Sequence, residues 1–234
     1  MRMSRRMGLL GKKKTVPPTL LPTLAELFAD MTVIAQGGGN GSRLETVSMS
    51  VDIEANPSIY VFAFCNDSFA IHHLLSNGSE YIKDTLYRAT NDRNATNIHI
   101  SGTSCYLSTD GSSSTKVYGG TIIAATFPSY TDEQISAVFG NISVKNSAGR
   151  NSSSGGRIHL SNTVITGEII LTAYKGAMCA APVTSPTEYI CTLDYKYSSS
   201  RTYKARNYVD SSKIYLSYTG TSAGNVSGGT ILTI

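Results

Sequence analysis

Residues 104–125 and 213–234 match at 10 of 22 positions when laid over each other at a constant offset of 109, without a gap. Tyr106-Leu107-Ser108 falls on Tyr215-Leu216-Ser217, and Gly119-Gly120-Thr121-Ile122 falls on Gly228-Gly229-Thr230-Ile231. Serine, threonine and glycine are abundant, so part of the identity is compositional. The shared aromatic, aliphatic and paired-glycine positions are not. Upstream, Glu80-Tyr81-Ile82 answers Glu188-Tyr189-Ile190 one residue out of register, and IYVFAF (59–64) answers IILTAY (169–174). Such a period is too long for a solenoid repeat and suits a small domain. The expected organisation is a tandem duplication. Residues 1–42 form a basic arm and helix, 43–125 the first β-domain, 126–151 a helical connector and loop, and 152–234 the second β-domain.

Alternation assigns the fold class. In ETVSMSVDI, Val47, Met49, Val51 and Ile53 point one way and the polar residues the other, the period-two pattern of a half-buried strand. SIYVFAF (58–64) and GEIILTAY (167–174) are apolar on both faces, as central strands between layers are. Short runs rich in Val, Ile, Thr and Tyr continue to the end, separated by Gly, Asn, Asp and Ser clusters. The chain is therefore expected to be mainly β, as two antiparallel sandwich or jelly-roll-like domains. Eight strands per copy in two four-stranded sheets would mark a small double-jelly-roll capsid subunit; six or seven immunoglobulin-like strands would mark a tail or decoration protein. Tyr106-Leu107 and Val117 read as two sides of a hairpin turning near Gly111, with the double glycine marking a bulge or a close backbone approach. Helices are expected from about Pro22 to Asp30 and over Thr131 to Phe139, the latter opened by a Thr131/Gln134 capping box. The stretch NDSFAIHHLLSNG (66–78) reads as a helical turn, and its counterpart AMCAAPVTSP (177–186), with two prolines, as a point of divergence.

Charged residues make up only 15% of the chain, well below the globular norm of about 25%. The net charge of +4 is concentrated in MRMSRRMGLLGKKK. Arg2, Arg5, Arg6, Lys12, Lys13 and Lys14 stand there with no acid, leaving 14 basic against 16 acidic residues elsewhere, a net −2. This arm is expected to contact nucleic acid or an acidic protein surface. The apolar stretch after Lys14 is broken by Pro17, Pro18, Pro22, Glu26 and Asp30, so neither a secretory leader nor a membrane span is expected. Assembly in a cytoplasm follows.

Cys65, Cys105, Cys179 and Cys191 form no C-x-x-C pair and are expected to be buried free thiols, a Cys179–Cys191 disulfide being the alternative. Seven N-x-[ST] triplets, at Asn40, Asn66, Asn77, Asn94, Asn141, Asn151 and Asn225, read as compositional. Of the histidines, His99 falls on Tyr208 and His159 on Ser50, so neither is kept between copies, while His72 and His73 diverge on any regular element. No metalloprotease, nucleophile-elbow, P-loop or EF-hand pattern occurs. The retained Glu80 and Glu188 read as solvated strand-edge carboxylates. No catalytic, cofactor or metal residue is nominated, and the chain is expected not to be an enzyme. Tyrosines without a partner in the repeat, Tyr118, Tyr130, Tyr197 and Tyr203 among them, are the candidates for outward contacts.

In its basic leader and its charge-poor body rich in Ser, Thr, Gly, Asn and Tyr, the chain resembles virion structural proteins of tailed bacteriophages, of the tail, baseplate or head-decoration kind. That resemblance implies a non-enzymatic building block that assembles with copies of itself and other virion proteins. The alternative class is a carbohydrate-binding or adhesin module, whose partner would be a host glycan and whose mark would be an exposed aromatic platform or shallow groove.

Overall fold

The computed structural model describes residues 20–52, 54–88, 96–161 and 165–234. The chain is mainly β, 53% strand and 7% helix, in several antiparallel sheets of which none closes into a barrel. In chain order the first part holds α1 (Leu24–Asp30), β1 (Thr32–Gly38), β2 (Glu45–Thr46), β3 (Ser48–Ser50), β4 (Ser58–Cys65), β5 (Ser68–Ser76), β6 (Tyr81–Arg88), β7 (Asn97–Ser101), β8 (Ser104–Ser108), β9 (Lys116–Val117) and β10 (Thr121–Thr126). The second holds α2 (Asp132–Phe139), β11 (Asn146–Gly156), β12 (His159–Ser161), β13 (Ile169–Tyr174), β14 (Ala177–Pro182), β15 (Cys191–Leu193), β16 (Tyr195–Ser198), β17 (Arg201–Tyr203), β18 (Arg206–Asp210), β19 (Lys213–Ser217) and β20 (Val226–Thr233).

The sheets run in parallel orders. One five-stranded sheet is β1-β10-β4-β5-β6 and the other is β11-β20-β13-β14-β15, while β3-β8-β7 corresponds to β12-β19-β18. Each five-stranded sheet is preceded by a helix with the same start signal. Thr23 and Glu26 cap α1 reciprocally, as Thr131 and Gln134 cap α2.

Buried side chains fall into three clusters. On β4, Ile59, Val61 and Ala63 join Val47, Met49, Ile98 and Leu107 under the small sheet, while Tyr60, Phe62 and Phe64 face the middle of the molecule. There they meet Ile169, Leu171 and Ala173 of β13, together with Leu27, Phe28, Ile135 and Phe139 of the two helices. The central core thus draws side chains from both parts of the chain, with Ile135 and Phe139 of α2 in its wall. Asp132 makes the docking specific: its carboxylate accepts from Ser58 Oγ (3.0 and 3.1 Å) and from Tyr60 Oη (2.9 Å).

Three local expectations are corrected. Residues 66–78 form no helix; they hold β5, paired along its length with β4 and β6. Their apolar run is buried on both faces, so it lacks the alternation that marks a strand. The counterpart 177–182 is β14, hairpinned to β13 as β5 is to β4. Nor do Tyr106-Leu107 and Val117 form a hairpin. β8 pairs with β3 and β7, whereas β9 pairs with β2 and β10 lies in the five-stranded sheet, so the chain crosses between layers here. The crossing uses a side-chain turn: Gly111 N donates to Ser108 Oγ (2.8 Å), and Gly220 N to Ser217 Oγ (2.9 Å), at the same places in the repeat. Among the described residues each part of the chain thus divides its strands into a five-stranded and a three-stranded sheet, with the two-stranded pairs β2-β9 and β16-β17 beside them.

All four cysteines are free thiols, three of them buried. His72 is fully buried on β5, its Nδ1 3.0 Å from Thr85 Oγ1. Burial, aided by Lys83 and Arg88, pushes its pKa down to about 3. The unfolded chain takes up this proton as pH falls through about 6.5, and the folded chain refuses it until about 3. Stability contributed by neutral His72 is therefore intact above 6.5 and lost progressively between those values. His72→Gln is expected to flatten the slope of unfolding free energy against pH in that window, measured by urea melts from pH 7 to pH 4.

Candidate functional site

The junction of the two five-stranded sheets and an aromatic cleft beside it are the two places where polar and aromatic groups gather. The hairpin turns come first. Asn66, between β4 and β5, and Lys175, between β13 and β14, are 109 residues apart and are the non-glycine residues with positive φ among those described (55° and 50°). Each turn reaches across to the other half. The Asn66 carbonyl accepts from Thr230 Oγ1 (2.6 Å), and Gly176 N donates to Thr121 Oγ1 (2.9 Å). A Cβ on Gly149 would overlap the Asn66 carbonyl, and one on Gly38 would overlap that of Lys175. The repeated double glycines meet each other: a Cβ on Gly119 would lie 3.0 Å from Gly228 Cα. Contacts at the two hairpin turns therefore come in matching pairs across the junction.

Around Lys175 the halves differ. Where the first half has Cys65, Asn66 and Thr109, the second has Tyr174, Lys175 and Tyr218. Tyr174 and Tyr203 meet edge to face at 5.9 Å, and Tyr197 lies 5.5 Å from Tyr203. Lys175 Nζ sits 5.0 Å from the centroids of both Tyr174 and Tyr203, a cation held on two ring faces. Burial lowers its pKa, with Arg201 acting the same way and Glu45 opposing. Tyr203 Oη donates to Asn40 Oδ1 (3.3 Å), stitching β17 to the first half. Above this floor opens a cleft of about 340 Å³ lined by Tyr174, Thr202, Tyr203, Lys204 and Tyr218. Tyr218 is 48% exposed, and a Cβ on Gly224 would press against its ring edge at 2.4 Å, so only a glycine lets the ring lie there. Asp194 accepts from Arg206 Nη2 at 2.9 Å and stands 3.8 Å from Lys204 Nζ.

The sequence-level candidates separate accordingly. Arg2, Arg5, Arg6, Lys12, Lys13 and Lys14 lie outside the described residues. Tyr118 is half-buried at the junction, its backbone N donating to Asn151 Oδ1 (2.6 Å). Tyr130 is half-buried against the central core. Tyr197 is half-buried in the cleft's aromatic cluster. Tyr203 corrects the expectation: it is only 7% exposed, because its ring is packed between Tyr174, Tyr197 and Lys175. Glu80 and Glu188 are exposed, as expected of solvated carboxylates. Lys175 escaped notice; its signal was the Lys-Gly dipeptide ending an apolar run, a two-residue hairpin turn.

One cluster brings together residue types used in catalysis, namely Ser58, His73 and Asp132. His73 Nε2 is 2.9 Å from Ser58 Oγ and 3.7 Å from Asp132 Oδ2. A nucleophile–base–acid relay needs the carboxylate on the far ring nitrogen. Here serine and aspartate share one nitrogen, and Ser58 donates to Asp132 itself. The imidazole is stacked flat on Tyr60 at 4.4 Å. Burial lowers the His73 pKa despite Asp132 and Asp84. The geometry is that of a helix-docking latch. Among the described residues no group of His, Cys, Asp and Glu is placed to hold a metal ion, and no helix is long and apolar enough to cross a membrane.

Comparison with protein-family models, with curated proteins and with solved structures gives no match.

Proposed function

We propose that the chain is a non-enzymatic structural protein of a virion, of the tailed-bacteriophage kind, built from two tandem copies of one β-unit. The two copies are residues 43–125 and 152–234, which close on β10 and β20, second in their five-stranded sheets. The observation that carries this reading is the exchanged contact pattern at the junction, Thr230 to Asn66 against Thr121 to Gly176. A unit that joins its own copy through a self-complementary face is suited to repeated packing in a symmetric particle. Leu75 and Ile82, directly opposite each other on β5 and edge strand β6, add an apolar pair left 45% and 59% exposed. The five-plus-three strand division makes a double-jelly-roll capsid subunit the weaker assignment. In the proposed role the basic arm ties the subunit to acidic protein or nucleic acid, and the partners are other copies and other virion proteins. The particle is assembled in the host cytoplasm.

The test compares the full chain with residues 20–234 by light scattering and electron microscopy. The full chain is expected to form defined oligomers, and the shortened chain to keep its fold but remain monomeric. A full chain that stays monomeric at high concentration overturns the assembly reading.

A further inference from the structure

We propose that the cleft between Tyr174, Tyr203 and Tyr218 binds an acidic saccharide, with a sugar ring stacked on Tyr218 and its carboxylate or sulfate turned toward Lys204. This site does not depend on the assembly role proposed above.

Four observations select that ligand class. The first is the exposed ring. Tyr218 is 48% exposed with its ring edge beside Gly224, and an exposed aromatic ring can accept the C–H face of a sugar. The second is size: about 340 Å³ is at the lower end of small-molecule sites, room for a short saccharide rather than a folded partner. The third is charge. Lys204 stands 3.8 Å from Asp194, whose shorter contact belongs to Arg206, so its ammonium is weakly engaged. Lys204 itself lines the cleft and is exposed. A cationic ligand is disfavoured, because Lys175 already occupies the ring faces of Tyr174 and Tyr203. Thr202 supplies a hydroxyl at the wall. The fourth is asymmetry. The first half places Cys65, Asn66 and Thr109 where the second places Tyr174, Lys175 and Tyr218, so the shared scaffold does not require these aromatics. A single-stranded nucleic acid would call for a row of stacking rings, and the cleft offers one exposed ring.

The full chain is titrated with sialyllactose, digalacturonate and a heparin disaccharide, with lactose as neutral counterpart and oligothymidylate as nucleic-acid counterpart, followed by NMR and calorimetry. At least one acidic saccharide is expected to bind saturably, at least about tenfold tighter than lactose, as one charge-assisted hydrogen bond allows. Tyr218→Ala is expected to abolish binding and Lys204→Ala to reduce it to the lactose level. Both residues are exposed enough that the melting temperature should hold, which separates loss of binding from loss of fold. Absence of saturable binding by all three acids overturns the proposal. So does equal binding of lactose, tighter binding of oligothymidylate, or unchanged affinity in Tyr218→Ala.

Discussion

Gly149→Ala is expected to cost more than about 4 kcal/mol, enough to leave much of the population unfolded in urea concentrations that the parent chain tolerates. The cause is a single added carbon. At Gly149 on β11 the Cβ would overlap the carbonyl carbon and oxygen of Asn66 and crowd the Asp67 nitrogen. These are backbone atoms, so no rotamer change relieves the overlap. The Asn66 turn is held in turn by Thr230 Oγ1, whose hydrogen bond to the Asn66 carbonyl breaks if the turn withdraws. Withdrawal also separates β11 and β20 from β4, and with them part of the central core that both halves share. Gly38→Ala should behave alike, because its Cβ would meet the Lys175 carbonyl and Gly176 nitrogen in the exchanged contact. Gly155→Ala is the control, since the nearest atom would be Asn225 Cβ at 3.5 Å, ordinary van der Waals contact. Chemical denaturation of the three variants reads the result. A Gly149→Ala chain as stable as Gly155→Ala would mean that the halves do not meet at these glycines.

How much of this could be read from residues alone follows from what each pattern encodes. IYVFAF and IILTAY announced β4 and β13 because a strand covered on both faces must be apolar at every position. The Thr131/Gln134 capping box placed the start of α2 to the residue, since it is a local hydrogen-bond device. FAIHHLL failed although β5 is buried on both faces in the same way, because two adjacent histidines interrupt its apolar run. The Ser108–Gly111 and Ser217–Gly220 turns were visible as turns, but their neighbours could not declare which layer each strand would join. That choice depends on pairing partners some 60 residues away, such as Met49 opposite Cys105. The paired glycines were legible as a close approach, though nothing in one copy says that the approaching backbone belongs to the other. Two of the tyrosines unmatched in the repeat, Tyr197 and Tyr203, pack against each other at the cleft. Burial then sorted them: Tyr218 is open, while Tyr203 is fixed beneath by Lys175 and the Asn40 hydrogen bond.

Deleting residues 1–30 is expected to abolish folding, whereas deleting residues 1–19 is expected to leave it intact. Read as sequence, both cuts remove a basic arm. The difference lies in α1. Leu27 and Phe28 are fully buried and Leu24 nearly so, all in the central cluster. Phe28 packs 6.1 Å from Phe62 and 6.2 Å from Phe139, joining β4 to α2. Large-to-small changes at single buried sites of this kind cost about 2–5 kcal/mol each. Removing three such side chains together reaches the roughly 5–15 kcal/mol that a whole domain has to spare. Beyond α1, Asp30 accepts from Ser129 N (3.0 Å) and Ser129 Oγ (2.6 Å), fastening the turn that leads into α2. The shorter deletion ends before the Thr23/Glu26 capping box, so the helix keeps its start signal. Circular dichroism and thermal melts of the two truncated chains distinguish the outcomes. A cooperative melt for the chain lacking residues 1–30 would show that the β-sheets close their common core without α1, and the second helix would then be the only one the core requires.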